Sequence, residues 1–548
     1  MPIKSILQGL IWLVAMTPAV FTPAGLEPLW AKLEVGFRGL SRRRVLSCAL
    51  MALTVLAGRG ALLLVWDIPQ PVIHDEFCYL LQGETFASGR LTNATHPMAE
   101  FFETAYVLQK PTYNAKYPPG QGLALAVGLI VFGNPWFGVW LSCGVLAAAL
   151  CWALQGWFEP EWALAGAILA LPFCTLTYAM NTYCGGAVAG IGGALVLGAL
   201  PRIRANEAYS GAVFGLGATI LAMTRPFEGA VALAPFAVAM LFQKSHRRQW
   251  AGFVVTAAAG AGFLCYYNFR VTGDPLQLPY SEYEAQYPMA SHFTLLPPPP
   301  PVSYERAGII MIDHWEREAW KHTLKPGFYW RRLREVGGHV STFFGSMFVL
   351  LPLFFLADPW RAKLRAARWA VGLTIVVGFV ETVYFTHYAA PALASLLVLV
   401  VAGLRALRQW RPPAGLWLAR TIPVAAVLIA LMDPAMKLVK GESMDHPGAG
   451  GRARIAQLLD AEAGQQVILV RHNYPSKFEP RWDDFPSIPE TPSAVEFVRN
   501  GANIDEQRVV WAHDLGKESN RRLREYYKDR RFWLFDPAEN PDGLTRIR

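Results

Sequence analysis

The chain has 548 residues, of which 53% are hydrophobic and only 17% charged, and its mean hydropathy is +0.25. Soluble domains carry roughly a quarter charged residues, so the composition excludes an ordinary water-soluble protein and points to a polytopic membrane protein. The formal net charge of +9 does not imply nucleic acid as a partner. Its basic residues gather in short loops between apolar runs, the positive-inside pattern, and no basic stretch interleaves with aromatics.

Residues 5–21 form an apolar stretch of about minimum spanning length, broken by Pro18. They read as an extra span or as a helix lying in the interface, rather than as a removable signal. Candidate spans follow near 44–66, 135–155, 162–180, 184–200, 208–224, 228–243, 249–268, 337–357, 368–386, 389–405 and 418–435. The predicted fold class is an all-α polytopic membrane bundle of about 11 spans, or about 12 if residues 5–21 cross. A small external α/β domain closes the chain.

Arg42, Arg43 and Arg44 precede the first span and belong in the cytoplasm, which places His74-Asp75-Glu76 outside. Later basic loops agree: Pro201 to Arg204, Lys244 to Arg248, Trp360 to Arg368 and Arg405 to Arg411 all fall inside. The agreement requires the apolar stretch 120–133 to be an external helix, on or partly in the membrane. The domain reading is then an N-terminal segment 1–43, a membrane domain 44–435 with external loops 67–134 and 269–336, and an external domain 436–548. In the last, Gln466 to Arg471, Arg508 to Ala512 and Phe532 to Phe535 read as buried strands, and Gly451 to Ala463 and Lys517 to Arg530 as amphipathic helices. Pro297 to Pro301 favours a stiff polyproline segment in the second loop. None of the seven cysteines forms a CxxC pair; Cys48, Cys143, Cys151, Cys174 and Cys265 sit in apolar spans as small hydrophobes.

The acids carry the chemistry. A carboxylate inside hydrocarbon costs about 2.5–3.5 kcal/mol on insertion scales, so acids in such chains usually have a function. Asp75 and Glu76, just past the first strong span, can take a proton, hold a cation, or both. About forty residues on, Tyr113-Asn114-Ala115-Lys116-Tyr117-Pro118-Pro119-Gly120-Gln121 makes a rigid corner. There Lys116 either binds an oxyanion as a point charge or snorkels among interfacial tyrosines.

An Asp-Glu after the first span, a long external loop, then Lys116 to Gln121 and Phe132-Gly133-Asn134-Pro135-Trp136 resembles the GT-C membrane glycosyltransferases. The closest branch is that of the protein O-mannosyltransferases and the lipid A aminoarabinose transferase, and the likeness covers residues 44–405. The resemblance implies an enzyme of a bacterial inner membrane that moves a sugar from a polyprenyl-phosphate carrier to a lipid, glycan or protein acceptor on the external side. Asp75 would then be the general base. Glu76 would orient it or help bind a divalent metal where one is used, with His74 and Tyr113 in support.

The departing phosphate needs compensation of its charge. Lys116 with Tyr117, and Arg225 held by Glu228 within Thr224-Arg225-Pro226-Phe227-Glu228, are the candidates. His387-Tyr388, ahead of Pro391, occupies the place of a basic/aromatic-Tyr…Pro segment near the lipid phosphate; His387 stands where relatives more often have Arg. Asn181, with Tyr183, stands where relatives often have Asp, which weakens the metal expectation. Arg270, Tyr280 and Glu282 are candidates for the sugar pocket. Two rival functions remain: a lipid-linked glycan polymerase or ligase, expected to rely on loop arginines and histidines, and a transporter or flippase, expected to place acids at midplane.

Overall fold

In hydrocarbon every backbone N–H and C=O must pair within the segment, so long apolar runs resolve into helices. A computed structural model of the chain describes residues 2–21, 24–242, 247–344, 346–355, 363–442, 451–472 and 497–547. Parts of the expected basic loops (244–246 and 360–362), residues 243, 345, 356 and 357 of two expected spans, and 443–450, 473–496 and 548 of the expected C-terminal domain lie outside them.

Six helices among the described residues are long and apolar enough to cross a membrane: Arg44–Leu62, Trp136–Leu154, Gly186–Arg204, Arg247–Thr272, Ala390–Leu407 and Ala414–Lys440. A seventh is reached if Phe328–Phe344 and Val349–Phe355, bent by 103°, count as one span. The chain is a multi-pass membrane protein. The other expected spans are shorter helices. Pro172 interrupts the third, leaving Pro160–Leu169 and Leu171–Thr175. Ser210–Thr224, Pro226–Phe242 and Arg365–Val380 have 15, 17 and 16 residues, against about 20 for a bilayer core.

The chain divides into two units. The membrane unit comprises Met1–Ile68, Gly138–Phe263 and Gly327–Met444. Ala390–Leu407 is its most enclosed helix, with 89% of its residues buried. Gly186–Arg204 packs closely against it and against Ser210–Thr224: a Cβ at Gly193 would stand 2.0 Å from the Pro391 carbonyl oxygen, so only glycine permits this approach. At the N-terminus, Pro2–Met16 is followed by the helix Glu27–Ser41, whose Glu27 and Glu34 pair with Arg420 at 2.7 and 2.9 Å.

The loop unit comprises Pro69–Phe137, Leu264–Pro326 and Asp445–Arg548. His74 to Ala87 is helical, as is Gly120–Phe132, and these two pack together through glycines at Gly83 and Gly122. The C-terminal segment forms a four-stranded sheet in the order Val509–His513, Gln466–Val470, Arg531–Phe535, Thr545–Ile547, parallel except for the last pair. Ile455, Leu459, Ile468, Val470, Phe497, Val498, Trp511 and Phe535 form its core. The expected strands are found within a residue of their predicted ends; the expected helices are shorter, Gly451–Gln457 and Lys517–Tyr526.

Candidate active site

The loop unit gathers the first group of expected residues. Asp75 lies in the first turn of His74–Ala87, where the exposed N–H groups of a helix favour negative charge. Its Oδ1 accepts a 2.5 Å hydrogen bond from the Tyr117 hydroxyl. Burial, then the adjacent Asp75 charge, pushes the Tyr117 phenol well above its ordinary range, so it stays protonated and donates. Asp75 itself is half-buried.

Glu76 is differently engaged. Its Oε2 accepts the Val72 and Ile73 backbone N–H groups at 2.8 and 3.3 Å, the role of a helix cap. Among the described residues no group of three or more His, Cys, Asp or Glu side chains is placed to hold a metal. Asp75 and Glu76 belong to no such group, and no step below uses a metal.

Lys116 is 3% exposed and makes no side-chain hydrogen bond or ion pair among the described residues. Its ammonium instead faces tyrosine rings: 3.7 Å from the Tyr106 centroid, 4.6 Å from Tyr280, 5.0 Å from Tyr283 and 5.5 Å from Tyr117. Burial lowers its pKa, while the charges of Glu316, Asp75 and Glu284 act the other way. Desolvated cation–π contacts contribute up to about 2 kcal/mol, a partial substitute for the missing counter-charge. Tyr106 is held in a left-handed conformation (φ 67°), with its N–H on the Tyr283 hydroxyl and its own hydroxyl on Glu316 at 2.8 Å.

Sequence reasoning missed Tyr79, Tyr106 and Glu316, which local spacing does not connect with Lys116. It also missed Arg499. This arginine of the C-terminal segment is 4% exposed, donates to the Ala105 carbonyl at 2.9 Å and to His74 Nδ1, and so fixes the residue that opens the Asp75 helix. The Tyr113 hydroxyl reaches the Asn500 carbonyl at 3.0 Å, and Glu84 accepts the Ala502 N–H at 3.0 Å. Two other expectations sit apart from the cage. Arg270 is exposed and bonds Tyr266 on its own helix, and Glu282 bonds the nearby Gln277 and Gln286.

The membrane unit holds the second group. Arg225 caps the helix Ser210–Thr224, pairs with Glu228 at 3.5 Å and lies 4.4 Å over the Tyr388 ring. His387 is buried, shares a 2.7 Å hydrogen bond with the Tyr178 hydroxyl and stacks on that ring and on Phe385. Asn181 donates to the Leu176 and Thr177 carbonyls, closing a local turn, and Tyr183 is buried. Two residues of this group were not anticipated: Glu381 and Arg332, the latter donating to the Glu381 and Thr382 carbonyls at 3.3 and 2.7 Å. A lone acid in the apolar run 368–386 was the available signal.

No protein-family model matches the chain, and no curated protein matches it in sequence. Solved structures do. ArnT from Cupriavidus metallidurans in the apo state is 13% identical and superposes with a TM-score of 0.51 over 89% of this chain and 93% of that one. The same protein bound to undecaprenyl phosphate gives 13%, 0.47, 89% and 92%. The Archaeoglobus fulgidus oligosaccharyltransferase in the apo form gives 11% identity and 0.45 over 78% of this chain and 62% of that one. ArnT, a lipid A aminoarabinose transferase, and the oligosaccharyltransferase are GT-C proteins. The fold is that of ArnT.

Proposed function

From that fold, we propose that the protein is a membrane glycosyltransferase taking its sugar from a polyprenyl-phosphate carrier and passing it to an external acceptor. The observation that carries the reading is the pairing, in one unit, of a half-buried carboxylate and a buried lysine that has no ion-pair partner among the described residues. Asp75 removes the acceptor hydroxyl proton as that oxygen attacks the anomeric carbon. The Tyr117 hydrogen bond fixes the carboxylate, and general-base catalysis of this kind supplies ~10²–10⁴-fold. Lys116, caged by neutral rings, gains the counter-charge it lacks when a phosphate arrives.

The acceptor side faces outward, in the orientation the basic loops set, and the membrane is a bacterial inner one. The transferred group is a hexose or pentose. Undecaprenyl phosphate, which the Cupriavidus metallidurans ArnT binds, is the carrier class tested first. The purified full chain is given radiolabelled polyprenyl-phosphate sugars and an external-leaflet lipid extract. Transfer by the wild type, and its loss in Asp75→Asn with folding intact, is the expected result. Near-normal transfer by that variant removes the assigned base.

A further inference from the structure

Within the membrane unit, several helix ends meet around a cavity of about 680 Å³. Arg44 opens the span Arg44–Leu62, and residues 155–160 join Trp136–Leu154 to Pro160–Leu169. Pro201 and Arg202 end Gly186–Arg204, Lys363 precedes Arg365–Val380, and Arg405 lies in the last turn of Ala390–Leu407. All of these are ends that the basic loops assign to the cytoplasm.

Four cations, Arg44, Arg202, Lys363 and Arg405, line the cavity beside two carboxylates, Glu159 and Glu207. Arg405 holds Glu159 at 2.6 Å. Arg202, 9% exposed, stands 3.7 Å from Glu207. Its Nη1 and Nη2 donate to the Gly198 and Trp152 carbonyls at 2.7 and 2.9 Å, and its guanidinium lies 4.0 Å over the Trp152 ring. A Cβ at Gly156 would stand 2.7 Å from that Nη1, so the glycine leaves room for this buried cation. Arg44 makes no side-chain hydrogen bond or ion pair among the described residues. It sits in the first turn of its helix, where the dipole disfavours positive charge, and Gln155 pins it there by donating to its carbonyl at 3.0 Å. Both carboxylates thus face an arginine, and positive charge is left over in a recess whose walls focus it.

We propose that this cavity binds the phosphate of an anionic phospholipid from the cytoplasmic leaflet. Its volume falls within the range of ligand pockets, about 300–1,000 Å³. Arg44 offers a planar fork for two phosphate oxygens, and Lys363 a point charge. A soluble phosphate would meet the same cations; the walls favour a lipid. They are the ends of apolar helices, at the level where headgroups lie, and basic recesses between spans on this side suit such headgroups. Trp157 spends its indole N–H on the Leu197 carbonyl at 3.0 Å and so offers ring surface alone, and Phe158 beside it is buried. These rings suit the glycerol and the first acyl carbons. The inference rests on the membrane orientation and is independent of the glycosyltransferase reading.

The test is lipid retention by the full chain in neutral detergent, read by native mass spectrometry with phosphatidylglycerol or phosphatidylcholine added. Phosphatidylglycerol should be held about tenfold more strongly, and Arg44→Gln should remove most of that preference. Arg43→Gln takes the same charge from the neighbouring exposed residue, which does not line the cavity, and should leave retention near wild type. Equal losses in the two variants would show attraction to the loop and not to the cavity, and overturn the proposal. So would a wild type that holds both lipids alike, a measure that needs no variant to fold. Lys363→Gln, from another element of the same wall, should repeat the Arg44→Gln result, and unchanged retention in both overturns the site. Inorganic phosphate and glycerol 3-phosphate, added to the wild type, should not displace the lipid at micromolar concentration. Displacement by either would overturn the lipid assignment in favour of a soluble phosphate.

Discussion

The two units treat their buried cations in opposite ways. In the loop unit Lys116 has no carboxylate in contact among the described residues and is surrounded by the faces of four tyrosines. In the membrane unit Arg225 and Arg332 each have an acid at 3.5 and 3.0 Å. A cation stabilised by ring quadrupoles keeps its charge available for an incoming anion. A cation already paired must loosen its partner to take one, so its primary contribution is to the integrity of the fold until ligand arrives. The contrast gives separable expectations for stability and for binding.

The largest effect is expected from breaking a pair. Arg225→Met leaves Glu228, itself 8% exposed, as an uncompensated buried charge, a loss of about 3–5 kcal/mol. Thermal melting of the detergent-solubilised protein should drop, and Arg225→Met with Glu228→Gln should recover most of it. A single variant that melts like the wild type would erase the contrast from the membrane side. Lys116→Met should do the reverse. It removes a cation that burial disfavours, so melting stays near wild type while polyprenyl monophosphate binding weakens by about 1.5–3 kcal/mol, the value of a charged hydrogen bond. Lys116→Arg should not restore binding, because a planar fork does not fit a cage sized for a point charge. Equal stability losses at Lys116 and Arg225 would show that the cage is structural.

How much of this was legible in the chain differs by region for physical reasons. The C-terminal strands were readable because Gln466–Val470, Val509–His513 and Arg531–Phe535 are apolar runs enclosed by turn residues, and a buried parallel strand needs little else. Asp75 and Lys116 stood out as candidates because polar groups beside apolar spans are costly and therefore informative. Tyr106 was not, since its part in the cage depends on a left-handed backbone and on Tyr283, 177 positions away, whose hydroxyl accepts its N–H. The lengths of the shorter helices were also hidden, because hydropathy reports apolar content and not where Pro172 or the break at Arg225 ends the hydrogen-bond ladder. Arg499 carried no signal at all: an arginine in a charged external segment looks solvent-facing until the fold buries it against His74.

Arg499 sharpens the comparison within the loop unit. It too is a buried cation with no carboxylate in contact among the described residues, yet both its terminal nitrogens are taken, by the Ala105 carbonyl and His74 Nδ1. It is therefore a positioning residue for the Asp75 helix. Arg499→Met removes both hydrogen bonds, a loss of about 1–2 kcal/mol. Turnover should fall with kcat and not with donor affinity, since Lys116 and its rings are untouched; Arg499→Lys should restore part of it. A fall in donor affinity alone would place Arg499 with the phosphate binders instead.

The smallest expected effect concerns a latch within the same unit. Asp505 accepts hydrogen bonds from the Tyr527 hydroxyl at 2.5 Å and the Tyr526 hydroxyl at 3.0 Å, and stands 3.0 Å from His96 Nε2, tying the C-terminal segment to the first loop. Burial raises its pKa, but the hydrogen bonds from Tyr527, His96 and Tyr526 outweigh it, so the carboxyl titrates below the ordinary 3.8. A depressed folded-state pKa stabilises above the unfolded value, and that stabilisation disappears as pH falls through the folded one. The latch should therefore hold at pH 5 and weaken below about 3.8. Limited proteolysis between pH 5 and 3 reads this directly: cleavage around residue 505 should rise at the acid end in the wild type. In Asp505→Asn, which cannot ionise, the sites should already be accessible at pH 5 and change little on acidification. An acid-induced rise of equal size in both would mean that the loss begins elsewhere, because the half-exposed carboxylate is screened by water and adds too little to be seen.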